Sequence, residues 1–208
     1  MKLFSHLRVS SEFSITQGLL TIDQIVDNAV ENSVPSVALT DKSNMFGLVK
    51  FFNKCESAGI KPISGSSIRL IFEDDDISYE LLCLAKTNNG HRNLMKIISN
   101  AHNNNSFNLP IIKFNDLIKL KDDIVVISGG KGSHIFEYLK LGNTPEAVSR
   151  IDNFRNHFGD DFVIDIQMTN RLDEMEYIKN VLPISKDKGI PLIATNDAVS
   201  YTHLRAHE

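Results

Sequence analysis

Ser36-Val37-Ala38-Leu39-Thr40-Asp41-Lys42 carries the pattern from which the architecture of this chain can be read. A short apolar run stops abruptly at a hydroxyl, a carboxylate and an ammonium, as a buried strand does where it surfaces at one end of a sheet. Upstream, Thr21-Ile22-Asp23-Gln24 is a capping box, because the threonine accepts from an early helical N–H and the glutamine can reach back. The helix it opens places Ile22, Ile25, Val26, Ala29 and Val30 on one face. Downstream, Leu48, Val49, Phe51, Phe52 and Cys55 predict a helix over 47–58, stopped by Gly59 in the left-handed conformation. A strand over 60–63 follows, with a hairpin-like continuation through 68–72.

The same alternation extends to both ends of the sequence. Residues 3–9 alternate as a first strand, 81–85 read as a buried strand and 90–101 as a helix, with 102–106 a polar loop. Strand 123–127 runs into the turn Ser128-Gly129-Gly130. Helices over 132–140 and 145–157, strand 162–166, helix 173–188 and strand 191–194 complete the series. This rhythm predicts an α/β fold with mostly parallel strands and helices outside them. The run Glu73-Asp74-Asp75-Asp76 reads as a solvated turn between two strands rather than a metal site.

Composition sets bounds on function. Of 208 residues, 42% are hydrophobic and 23% charged, enough for a full core. Lys+Arg 22 against Asp+Glu 26 leave a net charge of −4, which excludes capture of nucleic acid by the chain as a whole. A mean hydropathy of −0.13, with no apolar run near membrane length, excludes a spanning helix on sequence grounds. The apolar stretch after Met1 is too short for a signal peptide. Two cysteines, Cys55 and Cys83, cannot form a disulfide framework and read as small core side chains, so a cytoplasmic location is expected.

Polar clusters at Ser10-Ser11, Thr40-Asp41, Gly65-Ser66-Ser67, Ser128-Gly129-Gly130 and Thr195-Asn196-Asp197 all fall at predicted strand ends. In a barrel those ends converge on one mouth, where sites are built. There the sequence is recognisable: HLRVSSEFS at 6–14, ALTDKSNMFGLVKF at 38–51, GIKPISG at 59–65, LAKTNNGHRNL at 84–94, SGG at 128–130 and ATND at 194–197. In that order they resemble the amino-terminal PHP (polymerase and histidinol phosphatase) domain of bacterial replicative DNA polymerase III alpha subunits, over residues 3–198.

The resemblance implies a distorted (β/α)7 barrel, here incomplete at its C-terminal end, on a chain that stops before the polymerase body. It implies a parent enzyme that is a DNA-directed DNA polymerase, a nucleotidyltransferase using Mg²⁺ in its downstream domain, with no cofactor in this fragment. The expected partners are the proofreading exonuclease subunit and other replicase subunits, with DNA held mainly by the missing domains and no membrane contact.

Metal-binding PHP domains hold divalent ions with His, Asp and Glu at the strand ends. Carried over position by position, Arg8 and Ser10 stand where the paired histidines would be, and Gln17 replaces an aspartate. Lys42 replaces the histidine after Thr-Asp, Ser67 a glutamate, Glu80 a histidine, and Gly130 leaves a ligand position empty. Asp41, Asp165 and Asp197 remain as acids. The expectation is a vestigial pocket with no catalytic and no metal-binding residues, in which Arg8 and Lys42 neutralise Asp41, Glu80, Asp165 or Asp197. The competing reading is an active metal-dependent phosphoesterase or 3′–5′ exonuclease. His6 reads as a hydrogen-bonded wall residue; His91, His102, His134 and His157 are expected to be exposed, with His134 kept as a remote phosphate contact. Residues 199–208 back-translate to GTC TCT TAT ACA CAT CTC CGA GCC CAC GAG, the transposon-end adaptor of sequencing libraries. They are therefore read as non-native, and His203 and His207 are discounted as ligands.

Overall fold

The computed structural model describes residues 4–15, 18–103, 109–168 and 172–196. Strands β1 (Ser36–Leu39), β2 (Lys61–Ile71), β3 (Tyr79–Ala85), β4 (Ile111–Lys113), β5 (Ile124–Ile127), β6 (Phe162–Ile166) and β7 (Leu192–Ala194) form one curled sheet. Its order is β1-β2-β3-β5-β6-β7, with β4 also on β2. Helices α1 (Ile22–Glu31), α2 (Leu48–Ala58), α3 (Asn88–Asn103), α4 (Phe114–Ile118), α5 (His134–Lys140), α6 (Thr144–Phe158) and α7 (Leu172–Lys188) connect these strands. The α/β barrel class is therefore as expected. Parallel ladders join β1 to β2, β2 to β4, β5 to β6 and β6 to β7, while β3 runs antiparallel to both β2 and β5.

Local chemistry accounts for the elements that the sequence predicts well. Thr21 Oγ1 accepts from the Gln24 amide at 3.2 Å and Gln24 Oε1 accepts from the Thr21 amide at 2.9 Å, closing the capping box of α1. Gly59 ends α2 at φ 72°, a left-handed conformation that glycine adopts without a Cβ penalty. Side chains alternate across the sheet as the pleat requires. Leu81, Cys83, Val126, Phe162 and Ile164 face the outer helices, while Ala38, Leu82, Leu84 and Ile127 pack inside the barrel. A third cluster seats α1 and α2 against β1 through Ile22, Val26, Leu39, Phe51 and Cys55.

The structure corrects several expectations. The first segment is not a laddered strand: it touches β1 through an isolated parallel bridge, His6 to Val37. Residues 60–72 hold no hairpin, because β2 is continuous from Lys61 to Ile71 and reverses only at the acidic run. Gly65 lets it pass unbroken, as a Cβ there would lie 2.5 Å from Leu84. The short β4 and α4 had no periodic signature long enough to read. The acidic turn is not merely solvated: buried Arg150 holds both oxygens of Asp74 at 3.0 Å and Asp75 at 3.1 Å, with its guanidinium 4.2 Å above the Phe72 ring.

His134 is the largest departure. It is fully buried, stacked on Phe154 at 5.3 Å and edge-on to Phe72 and Tyr79, so it cannot contact an external phosphate. His91 and His157 are half-buried, and His102 lies in α3 rather than in a loop, with Nε2 2.8 Å from the Ser43 carbonyl.

Candidate functional site at the barrel mouth

The mouth residues are delivered by several different elements, at the end where β1, β5, β6 and β7 finish. Arg8 comes from the bridged first segment, Asp41 and Lys42 follow β1, Ser66 and Ser67 lie within β2, and Glu80 opens β3. Ser128 to Gly130 follow β5, Asp165 belongs to β6 and Thr195 follows β7. Arg8 reaches two acids, with Nη2 3.4 Å from Asp165 Oδ2 and Nη1 3.8 Å from Glu80 Oε2. Lys42 Nζ lies 2.9 Å from Glu80 Oε1. The expected neutralisation is thus present for Asp165 and Glu80, with Arg8 and Asp165 almost completely removed from solvent.

Asp41 departs from that expectation. Neither cation reaches it; its carboxylate accepts from the Ser11 amide at 2.7 Å, Ser11 Oγ at 2.7 Å and Ser14 Oγ at 2.6 Å. Three short charge-assisted hydrogen bonds satisfy a buried carboxylate without a counter-ion. Asp165 is embedded in the same way on its other side: Thr195 Oγ1 donates to Oδ1 at 2.7 Å, and its amide donates to Ser128 Oγ at 2.9 Å. Tyr177 donates to the Asp165 carbonyl at 3.2 Å, and burial, together with the Asp165 charge, pushes its phenol far above the usual range.

The Gly129-Gly130 turn has a steric cause. At Gly129, φ 87°, a Cβ would sit 2.2 Å from the Glu80 carbonyl oxygen; at Gly130 it would strike the Gln167 amide at 2.6 Å. The space a side chain at Gly130 would take is therefore filled by Gln167, whose Nε2 also stands 3.4 Å from Asp165 Oδ2. Ser10 and Ser67 line the same end, Ser67 bridged to Lys42. Gln17 and Asp197 lie outside the described residues, as do 199–208.

Divalent ions need several lone-pair donors converging on one point. Among the described residues no three His, Cys, Asp or Glu side chains do so. A guanidinium stands between Asp165 and Glu80, and both oxygens of Asp41 are already engaged by donors. The residues described do not fit a multi-metal centre. Sequence reasoning placed Ser11, Ser66, Ser128 and Thr195 in polar strand-end clusters but gave them no role. Ser14 and Tyr177 were given no role, because their partners Asp41 and Asp165 stand on other elements, and Gln167 was given none although Asp165 is two positions away.

The PHP domain family profile matches residues 6–169. The chain belongs to the PHP family. Among curated relatives, this PHP chain is 34% identical over 209 residues to the DNA polymerase III subunit alpha of Pasteurella multocida, covering 99% of this chain and 18% of that protein. The same subunit of Vibrio cholerae is 34% identical over 210 residues, and that of Escherichia coli 32%, each with the same coverage. The chain thus spans under a fifth of these relatives. Among solved structures, a candidate metal-dependent phosphoesterase from Bifidobacterium adolescentis superposes with a TM-score of 0.68 at 12% identity, covering 97% of this chain and 89% of that one. An amidohydrolase from Chromobacterium violaceum gives 0.62 at 13%, covering 94% and 87%. At such identities the likeness is one of fold. No helix among the described residues is long and apolar enough to cross a membrane.

Proposed function

We propose that this PHP domain is a non-catalytic structural module at the amino-terminal end of a replicative DNA polymerase alpha subunit, and that it docks the proofreading exonuclease subunit. The observation that carries the loss of catalysis is the ion network itself. Arg8 and Lys42 occupy ligand positions and hold Asp165 and Glu80 in salt bridges. A cation placed among the acids repels the ion that hydrolysis would need, and Asp41, a further mouth carboxylate, is engaged by the Ser11 amide and the Ser11 and Ser14 hydroxyls. The polymerase role rests on identity to alpha subunits along nearly the whole chain. In this reading Mg²⁺ serves the downstream polymerase domain, and DNA is held mainly there.

The competing reading, a working phosphoesterase, draws on the fold of the solved neighbours and on the two buried mouth aspartates. Elemental analysis of the intact protein for zinc and manganese, with assays on a phosphoester and on single-stranded DNA, separates the two. Our reading expects substoichiometric metal and turnover unchanged by Asp165→Asn. Bound stoichiometric metal with turnover lost in Asp165→Asn sinks it. Docking is checked by co-elution with the exonuclease subunit, and failure to co-elute removes that part of the proposal.

A further inference from the structure

A groove of about 750 Å³ opens at the end of the barrel away from the mouth. β2 and β5 begin there and antiparallel β3 ends there, whereas Glu80 and Ser128 stand at the opposite ends of β3 and β5, and Ser67 lies further along β2. Its floor is Ile63, Leu84 and Val125, which belong to the inner cluster of the barrel, and Val49 and Phe52 of α2 form one wall. The volume and apolar floor match those of small-molecule sites.

Polar groups gather at its edge. Ser64 Oγ lies 3.0 Å from His91 Nδ1, beside the side chains of Lys61, Lys86 and Asn88. Among the described residues the lining holds no carboxylate. Two acids stand near the rim, and both are engaged: Asp161 with Lys86 at 2.8 and 2.9 Å, Asp123 with Thr87 at 2.9 Å and Asn89 at 3.0 Å. Lys61 is exposed and has no ion pair among the described residues.

We infer that this groove binds an amphipathic anion, an alkyl or aryl body that lies on Ile63, Leu84 and Val125 and presents one phosphate or carboxylate head to Lys61 and the Ser64–His91 pair. The apolar body displaces water from a floor that is costly to leave wet, and the head meets Lys61, a rim cation with no acid partner among the described residues. This site is separate from the mouth and does not depend on the function proposed for it.

Octyl phosphate is the probe, titrated calorimetrically below its micellar range against the intact protein. Saturable binding at one site per chain is expected, with neutral octyl glucoside about ten-fold weaker, the difference one ionic contact makes. Lys61→Glu should erase that preference. Val49→Glu places a carboxylate on the groove wall at a position 75% exposed, where folding is not at stake, and should weaken octyl phosphate by about ten-fold. Equal affinity for the two amphiphiles, absence of saturable binding, or curves from both variants that superimpose on the parent's would overturn the inference.

Discussion

Asp41 and Asp165 show two ways of keeping a carboxylate buried inside a protein. Asp41 relies on donors from a single short segment, Ser11 to Ser14. Its replacement by alanine strands those donors, and we expect Asp41→Ala to lower the unfolding free energy by about 3 kcal/mol, read from urea denaturation. Asp165 relies on Arg8, itself 5% exposed and carrying a buried Nε without a hydrogen-bond partner. Arg8→Met removes the guanidinium beside Asp165 and should cost about 3 kcal/mol, whereas Arg8→Met with Asp165→Asn should recover most of that loss. A double-mutant cycle in which the two changes simply add would show that the pair is incidental.

At the scale of elements, the β2–β3 hairpin is fastened to α6 by one side chain. Arg150 joins Asp74, Asp75 and, at 3.0 Å, Glu146 of its own helix, while lying on Phe72. The two hairpin acids feel it differently. Hydrogen bonding to Arg150 holds the Asp74 carboxyl below its ordinary range, whereas burial raises that of Asp75 against the pull of the same guanidinium. Arg150→Met should speed amide exchange in residues 72–78 more than elsewhere and lower stability by about 3 kcal/mol, since Asp75 is then buried with only the Tyr138 hydroxyl, 3.2 Å away, to meet it. Uniform exchange rates across the sheet in that variant would deny the hairpin its dependence on Arg150.

The whole molecule carries a pH dependence from His134. Burial, helped by the nearby Arg150 charge, pushes its imidazole down to about 3 from 6.5, so the folded chain keeps it neutral. The unfolded chain takes up a proton below pH 6.5 and the folded chain does not, so stability falls as the solution is acidified. The fall should approach about 1.4 kcal/mol per pH unit from this group. His134→Phe should flatten the profile between about pH 6.5 and pH 5, above the range where carboxylates titrate. It also removes two buried ring nitrogens that have no hydrogen-bond partner, so the variant should be no less stable at neutral pH.

Much of this was legible in the order of residues. The capping box of α1, the glycine stop of α2 and the bounds of β6 follow from contacts within a few positions, and such local physics is written in periodicity. The chemical types at the barrel mouth were equally visible, since Arg8, Lys42 and Ser67 stand at or beside the polar ends of the apolar runs. What no local pattern could give was the pairing. Arg8 meets Asp165 across 157 positions, Asp41 turns to serines instead of to either cation, and His134 disappears into an aromatic box assembled from Phe72 just past β2, Tyr79 of β3 and Phe154 of α6. Burial and charge pairing are properties of how remote segments pack, and a side chain's environment is therefore fixed only when the sheet has curled and brought them together.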